Sequence, residues 1–122
     1  MELWVKIDGA KKKFQGSFFK VMEEVFNEGK NAEKVEILSF WAHDKERRRL
    51  KRELRKHNKD LIKTASALVY WFYTKQIRSL KRREKELIER TKRKSEGFQR
   101  EIEKLENQIK ELEEKITNFK VN

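Results

Sequence analysis

The sequence predicts an α+β fold, predominantly α. A small N-terminal strand–helix–strand unit packs on long helices, and the last helix carries a coiled-coil-like seam. Three observations carry this expectation. Apolar residues alternate at period two near the N-terminus and at three and four further on. Proline is absent, and beyond Asp44 the sole glycine is Gly97. The chain of 122 residues is 43% charged and 36% hydrophobic, a balance that suits solvent-exposed helices rather than one globular core. The same polarity would suit disorder, but periodic apolar residues and 11% aromatics argue against it.

The elements follow in order. In ELWVKID, Leu3, Val5 and Ile7 alternate with Trp4, Lys6 and Asp8, the signature of a strand. Asp8-Gly9 marks a turn able to close a short hairpin onto residues 11–14. Ser17 is the expected cap of a helix with an apolar stripe of Phe18, Met22, Val25 and Phe26. Gly29 is expected to end that helix in the left-handed conformation. Residues 35–42, VEILSFWA, read as a second strand, apolar on both faces and hence well covered. Two strands joined through a helix are expected as parallel neighbours. The boundaries drawn are 1–43 for this unit, 44–94 for a long basic helical segment and 95–122 for an amphipathic helix. About 42 residues bury too little surface to stand alone, so the unit must pack on something else.

Asp44 is the expected cap of the next helix, whose apolar positions are Leu50, Leu54, Leu61, Ala65, Leu68 and Phe72. One gap of seven passes His57. Residues 57–60, HNKD, are a candidate break, with Asn58 the candidate cap of a new helix. In the last segment Ile102, Ile109 and Ile116 fall at heptad position a. Phe98, Leu105, Leu112 and Phe119 fall at d. A parallel homodimer through this seam would oppose Glu101 with Glu106 and Lys115 with Lys120, two like-charge pairs. A hairpin turning near Ser95-Glu96-Gly97 would instead set Leu105 by Leu87, Leu112 by Leu80, Ile116 by Ile77 and Phe119 by Tyr73. The apolar and charge matches favour the hairpin. Either arrangement leaves apolar surface that predicts self-association, with a dimer favoured.

Charge is unevenly distributed. The net charge is +11: residues 1–42 are neutral, 43–94 carry +13 and 95–122 carry −2. A field of that kind gathers polyanions. Residues 45–56 hold eight Lys/Arg in twelve positions: Lys45, Arg47, Arg48, Arg49, Lys51, Arg52, Arg55 and Lys56. On a helix Arg47, Arg48, Lys51, Arg52 and Arg55 are expected on one broad side opposite Leu50 and Leu54, a face able to follow a phosphate backbone. Arg78, Lys81, Arg82 and Arg83 begin a second basic block, 78–94, which the acidic last helix can neutralise in part. A solvated face laced with ion pairs is the plainer account of both blocks. A basic helix running into heptads resembles the layout of basic-zipper DNA-binding proteins. The Asn and paired Ala that those proteins use to read bases are missing from 78–94, so the resemblance implies no base-reading residue.

Between the basic blocks lies ALVYWFY, residues 67–73. Seven apolar residues surround a whole helical circumference, so Leu68, Trp71, Phe72 and Tyr73 are expected as core or interface, with Ile102, Leu105, Ile109, Leu112 and Ile116. The stretch is far shorter than the ~20 residues of a membrane span.

No enzyme is expected. Cysteine is absent, which excludes disulfides and thiolate chemistry. There is no glycine-rich phosphate loop and no activated nucleophile. His43 with Asp44 and Glu46, or His57 with Asp60, reach two ligands where a metal site needs three. No cofactor or metal is assigned. No signal peptide is visible, so a cytoplasmic setting is expected. The Lys/Glu excess and absent Cys match thermophile composition. The leading functional expectation is nucleic-acid binding, duplex DNA through the basic helix of a dimer, with little sequence preference. The alternatives are a structural or adaptor protein assembling through its helices, and a peripheral binder of anionic membranes. Membrane association is the least favoured.

Overall fold

The computed structural model describes residues 1–90 and 96–119, and the side chains of 1–90 and 99–119. It is an α+β protein, mostly α. The strands are β1 (Glu2–Ile7), β2 (Ala10–Gln15) and β3 (Val35–Trp41). The helices are α1 (Phe18–Gly29), α2 (Asp44–Lys56), α3 (Leu61–Arg90) and α4 (Glu96–Ile116), and a 3₁₀ turn spans Thr117–Phe119. The chain forms two compact units: Met1–Val69, and a second beginning at Tyr70.

In the first unit, Asp8 and Gly9 both take positive φ, 48° and 87°, the two-residue turn whose twist suits a hairpin. β1 and β2 therefore pair antiparallel, Leu3 opposite Phe14 and Val5 opposite Lys12. The Asp8 carboxylate also accepts the Lys34 backbone N–H at 2.9 Å, fixing the turn to the start of β3.

The sheet order is β2-β1-β3, and β1 pairs with β3 antiparallel, not parallel as expected. The hairpin is the reason. β2 reverses the chain before α1 begins, so the helix connects β2 to β3. Those two strands run in the same direction on either side of β1.

β3 is consequently an edge strand, and the expectation that it is covered on both faces fails. Val35, Ile37 and Phe40 are half-buried, whereas Glu36, Leu38 and Trp41 are exposed. A bulge at Leu38 puts two residues of β3 opposite one step of β1 and shifts the phase of alternation. The opposite edge, β2, carries Lys11, Lys12 and Lys13, which discourage further strand pairing.

The closed face of the sheet, with Leu3, Val5, Ile7 and Phe14, is buried together with Phe18, Val21, Met22 and Val25 of α1. Ser17 stands at the α1 N-cap, without a side-chain capping bond. Gly29 is in the helix and not left-handed, contrary to expectation. Its role is space: a Cβ there would lie 2.5 Å from the Ile62 Cδ1 of α3.

The chain does break at 57–60, but Asn58 does not open α3. It closes α2 with φ 54°, while the Asn58 N–H bonds to the Arg55 carbonyl at 3.4 Å and the Lys59 N–H to the Leu54 carbonyl at 2.7 Å. This pair of bonds satisfies the last carbonyls of α2. Asp60 opens α3 instead, its carboxylate accepting the Lys63 N–H at 3.1 Å. Leu61, Thr64, Ala65 and Leu68 then bury one face of α3.

The second unit is a helical hairpin. α4 runs antiparallel to the later part of α3, with Tyr73 and Phe119 ring centroids 6.0 Å apart and Lys81 bridging Glu113 at 3.0 Å. Ile77, Leu105 and Ile109 are buried; Ile102, Leu112 and Ile116 are half-buried. Leu80 and Leu112 line one hollow, in the register read from the sequence. Gly97 and Glu96 belong to α4 and not to a turn. Ser95, residues 91–94 of the second basic block and the Phe98 side chain lie outside the described residues.

Candidate nucleic-acid interface

α2 is a short helix with a narrow apolar seam. Leu50 is fully buried and Leu54 half-buried, and nearly everything else is charged. His43, not Asp44, occupies the N-cap; Asp44 is the first helical residue and its carboxylate accepts Arg47 Nη2 at 2.8 Å. Asp44 and Glu46 in the first turn and Arg55 and Lys56 in the last match the helix dipole at both ends.

Seven of the eight basic residues of α2 are exposed, and Arg49 is half-buried. Arg47 pairs with Asp44, and Lys56 Nζ reaches Glu53 at 3.2 Å. Lys45, Arg48, Lys51, Arg52 and Arg55 make no side-chain hydrogen bond or ion pair among the described residues. Lys45, Arg48, Arg52 and Lys56 follow three-and-four spacing, so they line the face opposite Leu50, a row about 16 Å long at 1.5 Å per residue. Lys51 and Arg55 flank that row. They border a hollow of about 470 Å³ whose other side is Val35, Glu36 and Ile37 of β3. Glu36 there is answered by Lys34 at 2.8 Å. The hydrogen bond and the ammonium charge hold the Glu36 carboxyl below its ordinary range and raise Lys34.

The second basic set belongs to another helix, in the second unit. Arg78, Arg82 and Arg83 are exposed and without a side-chain ion pair among the described residues, but Lys81 is held by Glu113. Glu113 of α4 thus engages Lys81, but the rest of this block, like five cations of α2, has no ion pair among the described residues.

Within ALVYWFY, Leu68, Val69 and Tyr73 are buried and Phe72 is half-buried. Tyr70 is exposed and Trp71 keeps 43% of its surface open, with the Lys75 ammonium 5.0 Å from its ring. One chain therefore does not cover the stretch on every side. Among the described residues no three His, Cys, Asp or Glu side chains converge as a metal site would require. His57 Nε2 lies 3.9 Å from Glu53, and the His43 ring packs edge-on against Trp41 at 5.2 Å. No described helix is long and apolar enough to cross a membrane.

Sequence reading passed over Trp4, Trp41 and Leu38, which are exposed on the open face of the sheet. The signal for Trp4 was its phase: it alternates with Leu3 and Val5 and shares its side with Lys6. No such signal exists for Trp41, because the bulge displaces it.

Fold and charge define a small basic α+β protein: a three-stranded sheet with its covering helices, and a helical hairpin. Compared with known proteins, the chain is 53% identical over 97 residues to a protein of Aquifex aeolicus (strain VF5) described as an "Uncharacterized protein". The match covers 80% of this chain and 76% of that one. The chain belongs to one family with that protein. No family model matches, and no solved structure matches.

Proposed function

We propose that the chain binds nucleic acid, duplex DNA in particular, through phosphate contacts made by α2 with little sequence preference, and that it does so as a dimer. One observation supports this above the others: Lys45, Arg48, Lys51, Arg52 and Arg55 crowd one short helix with no acidic side chain among the described residues engaging them. Like charges at that density repel, and an external polyanion relieves the repulsion. Five phosphate contacts correspond to a slope of about −4.5 in log affinity against log salt, or roughly 500-fold weaker binding at 200 than at 50 mM. Fluorescence anisotropy on a random-sequence duplex measures it. No binding at ~50 mM salt rejects the proposal.

The dimer rests on the second unit. Ile88 is exposed there, and Leu80 and Leu112 line an open hollow of about 400 Å³ with Gln76 and Gln108. The same surface supports the adaptor reading, in which the hairpin assembles with helices and nucleic acid is ignored. Sedimentation with and without duplex separates the two. The exposure of Trp71 beside Lys75 is what a peripheral membrane role needs. Co-flotation with anionic vesicles, but not neutral ones, would favour it over both.

A further inference from the structure

The sheet of the first unit has a filled face and an open one. Leu3, Val5, Ile7 and Phe14 complete the core on one side. On the other, Trp4 is 41% exposed and Trp41 59% exposed. The register sets Trp4 opposite Ser39 and Glu2 opposite Trp41, so the two indoles are diagonal neighbours on adjacent strands. Ordinary sheet geometry puts such positions roughly 7–8 Å apart. Leu38, turned outward by the bulge, adds to the same patch. Tryptophan gains much from burial, and nothing in this core requires these two.

The face is also cationic. The register aligns Lys6 with Lys11 and Trp4 with Lys13, whose ammonium lies 5.3 Å from the Trp4 ring. The two acids are already engaged, Glu2 by Lys13 at 3.7 Å and Glu36 by Lys34 at 2.8 Å. Lys6 lies opposite Glu36, which Lys34 already engages, and Lys11 has no ion pair among the described residues. Flat rings beside these ammonium groups match a strand of splayed bases with its phosphates, since every base offers a π-face. A hydrophobic protein partner would meet the rings but leave Lys11 desolvated and unpaired.

We propose that the open face of the sheet is a binding site for single-stranded nucleic acid, one base stacking on Trp4, the next on Trp41, and phosphates held by Lys6 and Lys11. The site is built from β1, β2 and β3 rather than α2 and does not depend on the duplex-binding proposal.

The test uses the full chain carrying Trp71→Phe, so that fluorescence reports Trp4 and Trp41 alone. It is titrated with oligothymidylate and oligouridylate of about twelve nucleotides, a length of the order of one stacking site, and with inorganic polyphosphate. Quenching by the oligonucleotides and not by polyphosphate is expected, and the stronger of the two oligonucleotides names the source. In a second variant, Trp4→Ala/Trp41→Ala, oligonucleotide affinity is expected to fall at least about tenfold, with duplex binding and circular dichroism unchanged. Equal quenching by polyphosphate, or oligonucleotide affinity retained without the two rings, overturns the proposal. So does a dimer lost on Trp4→Ala/Trp41→Ala with that affinity intact, because the face then seats a second copy. If that variant does not fold, the titration of the Trp71→Phe chain decides alone. Weaker duplex binding in Arg48→Ala/Arg52→Ala with quenching retained separates the two sites.

Discussion

α2 and the second half of α3 carry similar basic sequence but differ in what lies beside them. Along Arg78–Arg90 the helix has an antiparallel neighbour rich in glutamate, and Lys81 is bridged to Glu113. Along Asp44–Lys56 the acids that pair with basic side chains are the helix's own Asp44 and Glu53, and five cations have no ion pair among the described residues. Local composition does not distinguish the two blocks. What distinguishes them is what folds back against each, so a basic run becomes a candidate surface only once its intramolecular company is known.

The comparison breaks most visibly through packing. α2 hangs on Leu50, its one fully buried side chain. Leu50→Ala is expected to cost about 2–5 kcal/mol in a denaturant titration and to disperse the basic row. A loss within the range of surface substitutions would mean that α2 is anchored otherwise. Next in size is charge. Arg48→Ala/Arg52→Ala should make the salt slope of duplex binding shallower by about 2, and Arg78→Ala/Arg82→Ala should change it by less than half as much. Equal effects would erase the difference between the helices.

The Lys81–Glu113 bridge is solvent-exposed, so a double-mutant cycle with alanine at both positions should return a coupling of only about 0.2–1 kcal/mol. Its value sharpens how much neutralisation α4 provides. The smallest effect concerns Lys34 and Glu36. The Glu36 pKa is lowered in the folded chain, so its contribution is present above the ordinary carboxylate range and disappears as pH falls through it. Lys34→Gln should lower stability slightly near neutrality, leave it unchanged below the carboxylate range, and so flatten the profile between the two. Thermal melts between acid and neutral pH would detect the change.

Much of this was legible in the sequence because it was written in local chemistry. Asp8-Gly9 specifies its hairpin by the conformations that those residues tolerate, and the four-three spacing of α4 specifies both a seam and its register. Tyr73 opposite Phe119 and Leu80 beside Leu112 follow from that register. The misses were non-local. The antiparallel pairing of β1 with β3 depends on a strand inserted between β1 and the helix. Gly29 looks like a helix terminator, yet its reason is the proximity of Ile62, 33 positions later in the chain. Asn58 and Asp60 are both capping residues, and their order alone does not say which closes α2 and which opens α3. The α2 candidates were legible as a cluster, but which of them lack an ion pair among the described residues was not. The aromatic face of the sheet was hidden because VEILSFW was read without its bulge.

That bulge has a consequence for how β3 can change. Val35 through Trp41 supplies one residue more than its ladder with β1 consumes, and Leu38 is the surplus. A single-codon deletion there would shorten the strand and straighten it, while Phe40 still faced inward and Trp41 outward. Within a family, length variation inside a strand is normally selected against. At Leu38 this protein has room for it.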